Sequence, residues 1–142
     1  MFELKDSDYK YVLQDISNVF IGARFTYRDM MENEYVPSRF QDAVCRVFAK
    51  EAGEDTMLCD HLLCLGKESE SYRGFSQLKI RIKVAVAEKK TDKSGKEILL
   101  YPAKDYELEG FMKRFCLPEG EREDILIQEI SFKKRHLASM HI

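Results

Sequence analysis

The stretch Leu78-Lys79-Ile80-Arg81-Ile82-Lys83-Val84-Ala85-Val86-Ala87-Glu88 constrains this chain more than any other. Leu78, Ile80, Ile82, Val84 and Val86 share one parity, while Lys79, Arg81, Lys83, Ala85 and Ala87 share the other. Only an extended strand, whose side chains alternate with period two, turns this pattern into one apolar and one wet face. A helix would scatter the aliphatic residues around its circumference. The chain therefore needs a sheet with one covered face, and apolar material elsewhere to cover it. The wet face opens with three cations, Lys79, Arg81 and Lys83, spaced about 7 Å apart at a rise of ~3.3 Å per residue.

Most of the covering material lies upstream. Phe2–Leu4 reads as a short edge strand. Ser7 is a good N-cap, and Tyr9, Val12, Leu13, Ile16 and Phe20 repeat at helical spacing, which predicts an amphipathic helix over Asp8–Phe20 closed by Gly22. Arg24–Glu34 admits a short helix capped by Thr26 with Met30 and Met31 on one side, or an extended segment holding Phe25 and Tyr27. Pro37 and Ser38 start a helix with Phe40, Val44, Val47 and Phe48 on one face, ending before Gly53. Met57–Leu65, rich in Leu and Cys and without alternation, reads as a short buried helix, with a strand as the alternative. Polar Lys67–Ser76, containing Gly74, reads as a loop.

Downstream, the turn cluster Thr91–Gly95 joins the opening strand to a second one at Ile98–Tyr101, before Pro102. This predicts a hairpin with an extended basic tip. Asp105 can cap a helix carrying Leu108, Phe111, Met112 and Phe115 that stops at Pro118. Ile125–Phe132 is β-branched enough for a third strand, followed at once by Lys133, Lys134, Arg135 and His136. The last residues carry no pattern and are expected to fray.

Helices before residue 78 and strands after it predict an α+β class: N-terminal helices packed on one face of a small antiparallel β-sheet centred on Leu78–Glu88. A length of 142 residues suits a single α+β domain, 1–142. No apolar run approaches the ~18 residues of a membrane helix, and the N-terminus lacks a basic-then-apolar signal. The expectation is a cytoplasmic protein without a membrane partner, whose four cysteines stay reduced.

Charge divides along the chain. Residues 1–76 hold nine Lys/Arg against fourteen Asp/Glu, and residues 77–142 hold fourteen against eleven. Seven of the later cations fall between Lys79 and Lys96. The candidate contact residues are therefore Lys79, Arg81, Lys83, Lys89 and Lys90, extended by Lys133, Lys134 and Arg135 if Ile125–Phe132 pairs nearby. A face of this kind can follow a phosphate backbone, but no aromatic platform for base stacking interrupts the cations. The net charge of −2 also lacks the strongly basic footprint of nucleic-acid modules. The acidic half offers Met30-Met31-Glu32-Asn33-Glu34-Tyr35, a mixed apolar and acidic stretch suited to protein contact or to the core.

Other chemistry finds little support in the residues. Cys59, His61 and Cys64, with Cys45, are zinc-ligand types, yet neither a helix nor a strand converges three of them at this spacing. His61, His136 and His141 could each approach a cysteine in space, but no local nucleophile signature is present. Glu88-Lys89-Lys90 at a strand end resembles the E-x-K half-motif of the restriction-endonuclease-like nuclease fold, which implies metal-dependent phosphodiester cleavage. The chain departs from that fold in lacking an upstream acidic partner strand and in following Glu88 with a turn. Phosphate-cradling glycine loops, H-E-x-x-H and G-x-S-x-G are absent. The expected function is non-enzymatic binding, without cofactor or metal. A protein partner is favoured; nucleic-acid binding through the basic hairpin 78–101 and the 133–136 cluster is the alternative, and a small metal-dependent nuclease or hydrolase the third.

Overall fold

The alternation around residue 82 forms a strand, but the sheet it joins is assembled differently from the expectation. The computed structural model describes residues 3–141. Its strands are β1 (Val12–Gln14), β2 (Asn18–Gly22), β3 (Arg81–Val86), β4 (Glu88–Thr91), β5 (Glu97–Leu100), β6 (Ala103–Glu107) and β7 (Ile125–Lys133). Its α-helices are α1 (Tyr27–Glu32), α2 (Ser38–Ala43), α3 (Ala49–Ala52), α4 (Leu58–Leu63), α5 (Glu70–Leu78) and α6 (Leu108–Phe115). The class is α+β, with a five-stranded antiparallel sheet ordered β1-β2-β7-β3-β6 and a separate two-stranded ladder β4-β5.

The central strand is β7, not the alternating segment. Four of its five apolar residues fall in two pairs, Ile125/Ile127 and Ile130/Phe132, a spacing that strict alternation would split between faces, with Leu126 between the first two. The register with β3 shifts between Lys83 and Val84, which leaves Gln128 unmatched and lets both pairs face the core. β3 itself is shorter than its pattern, because Leu78 closes α5 and Lys79 takes a left-handed conformation at φ 52° that turns the chain into the strand. Ile80, Ile82, Val84 and Val86 are buried as the alternation requires.

The helices cover that face. Phe48 stacks on Phe75 at 4.3 Å between ring centroids and on Tyr27 at 6.0 Å, and Phe40 reaches Phe132 at 5.3 Å. The helix expected from Ser38 is present; it passes through a π-helical turn at Val44–Phe48 into α3 and ends at Gly53. Met57–Leu65 contains α4. Thr26 caps α1 reciprocally with Asp29, which decides the Arg24–Glu34 ambiguity in favour of a helix.

Further expectations fail. Asp8–Phe20 is not a helix but the antiparallel pair β1-β2, so strands also occupy the first half of the chain. Asp15 makes the turn, its carboxylate accepting the backbone N–H groups of Ser17 and Asn18, and those bonds hold its pKa below the usual range. Gly22 ends a strand there, and a Cβ on it would lie 2.2 Å from the Tyr9 carbonyl oxygen. Lys67–Ser76 is not a loop: Ser69 caps α5, and Gly74 sits within that helix because Phe48 packs where its side chain would be. Asp105 lies in β6, and the helix it was expected to cap starts after Glu107. The final residues form a 3₁₀ segment, Lys134–Ser139, with Met140 buried and its carbonyl bonded by Arg39 at 2.6 Å. The edge strand expected at Phe2–Leu4 falls partly outside the described residues, and Glu3 and Leu4 are in no strand.

Candidate functional site

β3-β6 and β4-β5 form a single ribbon. The pairing runs in one register from Arg81↔Glu107 to Thr91↔Glu97. It is interrupted at Pro102, which has no N–H to return to Val86. The expected hairpin is therefore present but longer, with Ala103–Glu107 rather than Ile98–Tyr101 opposite β3. Its inner half belongs to the five-stranded sheet and its outer half stands beyond it.

Two inner cations, Arg81 and Lys83, are matched across the sheet. Arg81 contacts Glu107 at 3.3 Å. Lys83 lies between Asp105 and Glu129 in register and approaches Glu129 at 3.9 Å. Glu129 also accepts the Tyr11 hydroxyl at 2.9 Å, and burial together with that carboxylate pushes the Tyr11 pKa up. Lys79 is occupied structurally at the α5 terminus, where its N–H closes the helix. Lys133 lies across from Asn18, diagonal to Arg81, and the Lys134 N–H donates to the Ser17 carbonyl. Arg135 is exposed. The 133–136 cluster does not extend the hairpin tip, because β7 runs antiparallel to β3 and ends beside its start. About nine residues at ~3.3 Å, or roughly 30 Å, separate the cluster from Lys90.

At the tip the situation reverses. Lys89, Lys90, Lys93 and Lys96 make no ion pair among the described residues. Asp92, the acid between them, is committed to the turn, accepting the N–H of Ser94 and of Lys96 at 2.9 Å each. Opposite the lysines, Ile98, Leu99 and Leu100 are exposed by 37%, 45% and 40%. Pairing sets Lys90 with Ile98, and Glu88 with Leu100, on one face, and Lys89 with Leu99 on the other. The sequence signal for this surface was the unalternated run Ile98–Tyr101 beside a turn, which reads as a strand without saying that it lies outside the core.

The cysteine and histidine candidates do not converge. Among the described residues, no three His, Cys, Asp or Glu side chains gather as a metal site, and all four cysteines are free. Burial, with Asp60 beside it, pushes the Cys59 thiol up to about 11, and burial also raises Cys116, whose thiol donates to the Leu62 carbonyl at 3.2 Å. His61 is buried against Phe48 and Phe75, with Nδ1 2.5 Å from the Tyr27 hydroxyl. Burial holds Tyr27 protonated and lowers the His61 pKa, so a neutral phenol and a neutral imidazole share this hydrogen bond. Beside it is a cleft of about 270 Å³ lined by Glu51, Thr56, Asp60, Cys64 and Leu65. Among the described residues His61 makes no hydrogen bond to a cysteine. Residues 27 and 61 meet only in the tertiary structure.

Of the acidic-half candidate, Met30 is core, while Tyr35 is 66% exposed. No helix among the described residues is long and apolar enough to cross a membrane. No protein-family model matches the chain, and no curated protein matches it.

Proposed function

We propose that this chain is a small cytoplasmic accessory or regulatory binding protein, non-enzymatic, whose partner is another protein met by the outer half of the 81–107 ribbon. The observation that carries this reading is the exposed row Ile98–Leu100, held on a ladder outside the core and flanked by lysines that make no ion pair among the described residues. Contiguous exposed aliphatic residues rimmed by charge are the usual composition of a protein contact. The inner cations support a nucleic-acid reading less well, since Glu107, Asp105 and Glu129 already neutralise Arg81 and Lys83.

The test compares the full chain with an Ile98→Asp/Leu99→Asp variant in matched pull-downs from native lysate at high salt. The expected result is one protein species retained by the wild type and lost with the variant. Retention of nuclease-sensitive material that salt releases would instead favour the nucleic-acid alternative. Equal retention by both forms removes the ribbon from the reading.

A further inference from the structure

The ribbon's hydrogen-bond alternation shows which of its backbone groups remain unused. In an antiparallel ladder, residues facing each other alternate between pairs that exchange hydrogen bonds and pairs that do not. Two bonds establish the phase: Val86 N–H donates to the Pro102 carbonyl at 3.2 Å, and Asp92 N–H to the Lys96 carbonyl at 2.9 Å. With the register unbroken between them, Lys90/Ile98 and Glu88/Leu100 are also bonded pairs. Glu97 and Leu99 therefore turn their N–H and C=O groups away from β4. On the opposite strand the same phase turns Ala87 outward, and its N–H does leave the ribbon, donating to the Asp124 carbonyl at 3.3 Å. No strand pairs with the outer side of β5 among the described residues.

The two edges of the tip differ chemically. The β4 edge is guarded by Lys89 and Lys90, the usual way in which an edge is kept from pairing. The β5 edge has only Glu97 and the exposed aliphatic residues Ile98, Leu99 and Leu100. The neighbouring charge is positive on balance, with Lys89, Lys90, Lys93 and Lys96 against Glu88, Asp92 and Glu97, of which Asp92 is taken up by the turn. Past Pro102 the same edge becomes β6, where Asp105 and Glu107 reverse the sign.

We infer that the free edge of β5 takes up an extended acidic segment of the partner as an added strand over Glu97–Leu100; this rests on the reading above, that a protein meets the ribbon. Main-chain bonds to Glu97 and Leu99 supply the pairing, and aliphatic side chains on one face of the incoming strand lie against Ile98 and Leu100, with its carboxylates on the face that carries Leu99 and Lys89. The tip lysines attract its carboxylates. The acids of β6 oppose its carboxylates further along the same edge, so the added strand is short and held in place by charge.

The probe is a capped synthetic peptide of alternating glutamate and valine, titrated into the isotope-labelled full chain, with a lysine–valine peptide as control. The expected result is that amide exchange at Glu97 and Leu99 slows by about tenfold or more under saturating peptide. Leu99→Pro removes an outward N–H without touching the ladder to β4 and should weaken binding about tenfold, while Leu99→Ala, which keeps that N–H, should weaken it only about twofold to threefold. The lysine–valine peptide should not bind. Equal losses in the Pro and Ala variants, with no amide protection in the wild type, would mean side-chain docking alone; that outcome overturns strand addition and leaves the protein-binding reading standing. Failure of the acidic peptide to bind, or equal binding of the basic one, overturns the inference about the partner's charge. A single-stranded oligonucleotide that shifts the tip amides and displaces the peptide at lower concentration overturns both readings.

Discussion

Between Arg81–Val86 and Ala103–Glu107 the ribbon is sheet; between Glu88–Thr91 and Glu97–Leu100 the same two chain segments, in the same register, are an outlying arm. Both halves carry cations and aliphatic residues. In the inner half the aliphatic side chains are buried under helices, and Arg81 and Lys83 are matched by acids on the neighbouring strands. In the outer half no further strand lies alongside among the described residues, so the aliphatic residues remain exposed and the lysines make no ion pair there. Composition along the ribbon is nearly constant. What changes is the number of strands alongside, and with it the role of the same residue types.

The largest test of this contrast is truncation in each half. Ile82→Ala, in the fully buried inner half, should lower unfolding free energy by about 2–5 kcal/mol, whereas Leu99→Ala, in the outer half, should change it by less than about 0.5 kcal/mol, both measured by urea denaturation. Comparable losses at the two sites would mean that the arm is packed against the body.

A smaller effect is expected at the buried ring pair. Tyr27→Phe removes the hydroxyl that satisfies His61 Nδ1 and should cost about 1–3 kcal/mol. The same pair gives a pH dependence. Burial lowers the folded-state pKa of His61 below its ordinary 6.5, opposed in part by Glu51. The unfolded chain therefore takes up the proton first on acidification. The stability held by neutral His61 is full above about pH 6.5 and is lost as the pH falls towards the folded-state value. Urea midpoints should drop between about pH 7 and pH 5, and His61→Gln should flatten that slope.

The smallest expected difference lies among the cations themselves. Arg81→Gln should cost at most about 1 kcal/mol, because its pair with Glu107 is half exposed, and a double-mutant cycle with Glu107→Gln should recover that coupling. Lys90→Gln should be neutral to stability within about 0.5 kcal/mol. A measurable loss at Lys90 would show that the tip lysines are engaged within the chain.

How much was legible depended on how local the cause was. Pro37-Ser38 and Gly53 mark helix ends through bonds within a few residues and were readable, while the Thr26 cap was one of two readings left open. Asp8–Phe20 was not. Its apolar residues fit helical spacing, but Asp15 forms a turn and Val19 and Ile21 are buried by pairing with β7, more than a hundred residues away. Gly74 suggested a loop by its type, yet the ring that it accommodates belongs to a helix from another part of the chain. The candidate cations were all identified as exposed or wet-facing. Their division into matched and unmatched groups could not be read, because Glu107 and Glu129 approach only through the strand order.

The sequence by itself determined that a strand runs through residue 82 with one buried face, that helices must cover it, and that a turn at Asp92–Gly95 returns the chain. These follow from side-chain periodicity and local turn chemistry, which act within one element. Only the tertiary structure decided that β7 is the centre, that acids flank Arg81 and Lys83, and that Glu97–Leu100 is left with a free edge. Those facts depend on which strands lie side by side, and that choice comes from burying all the apolar faces together rather than from any one of them.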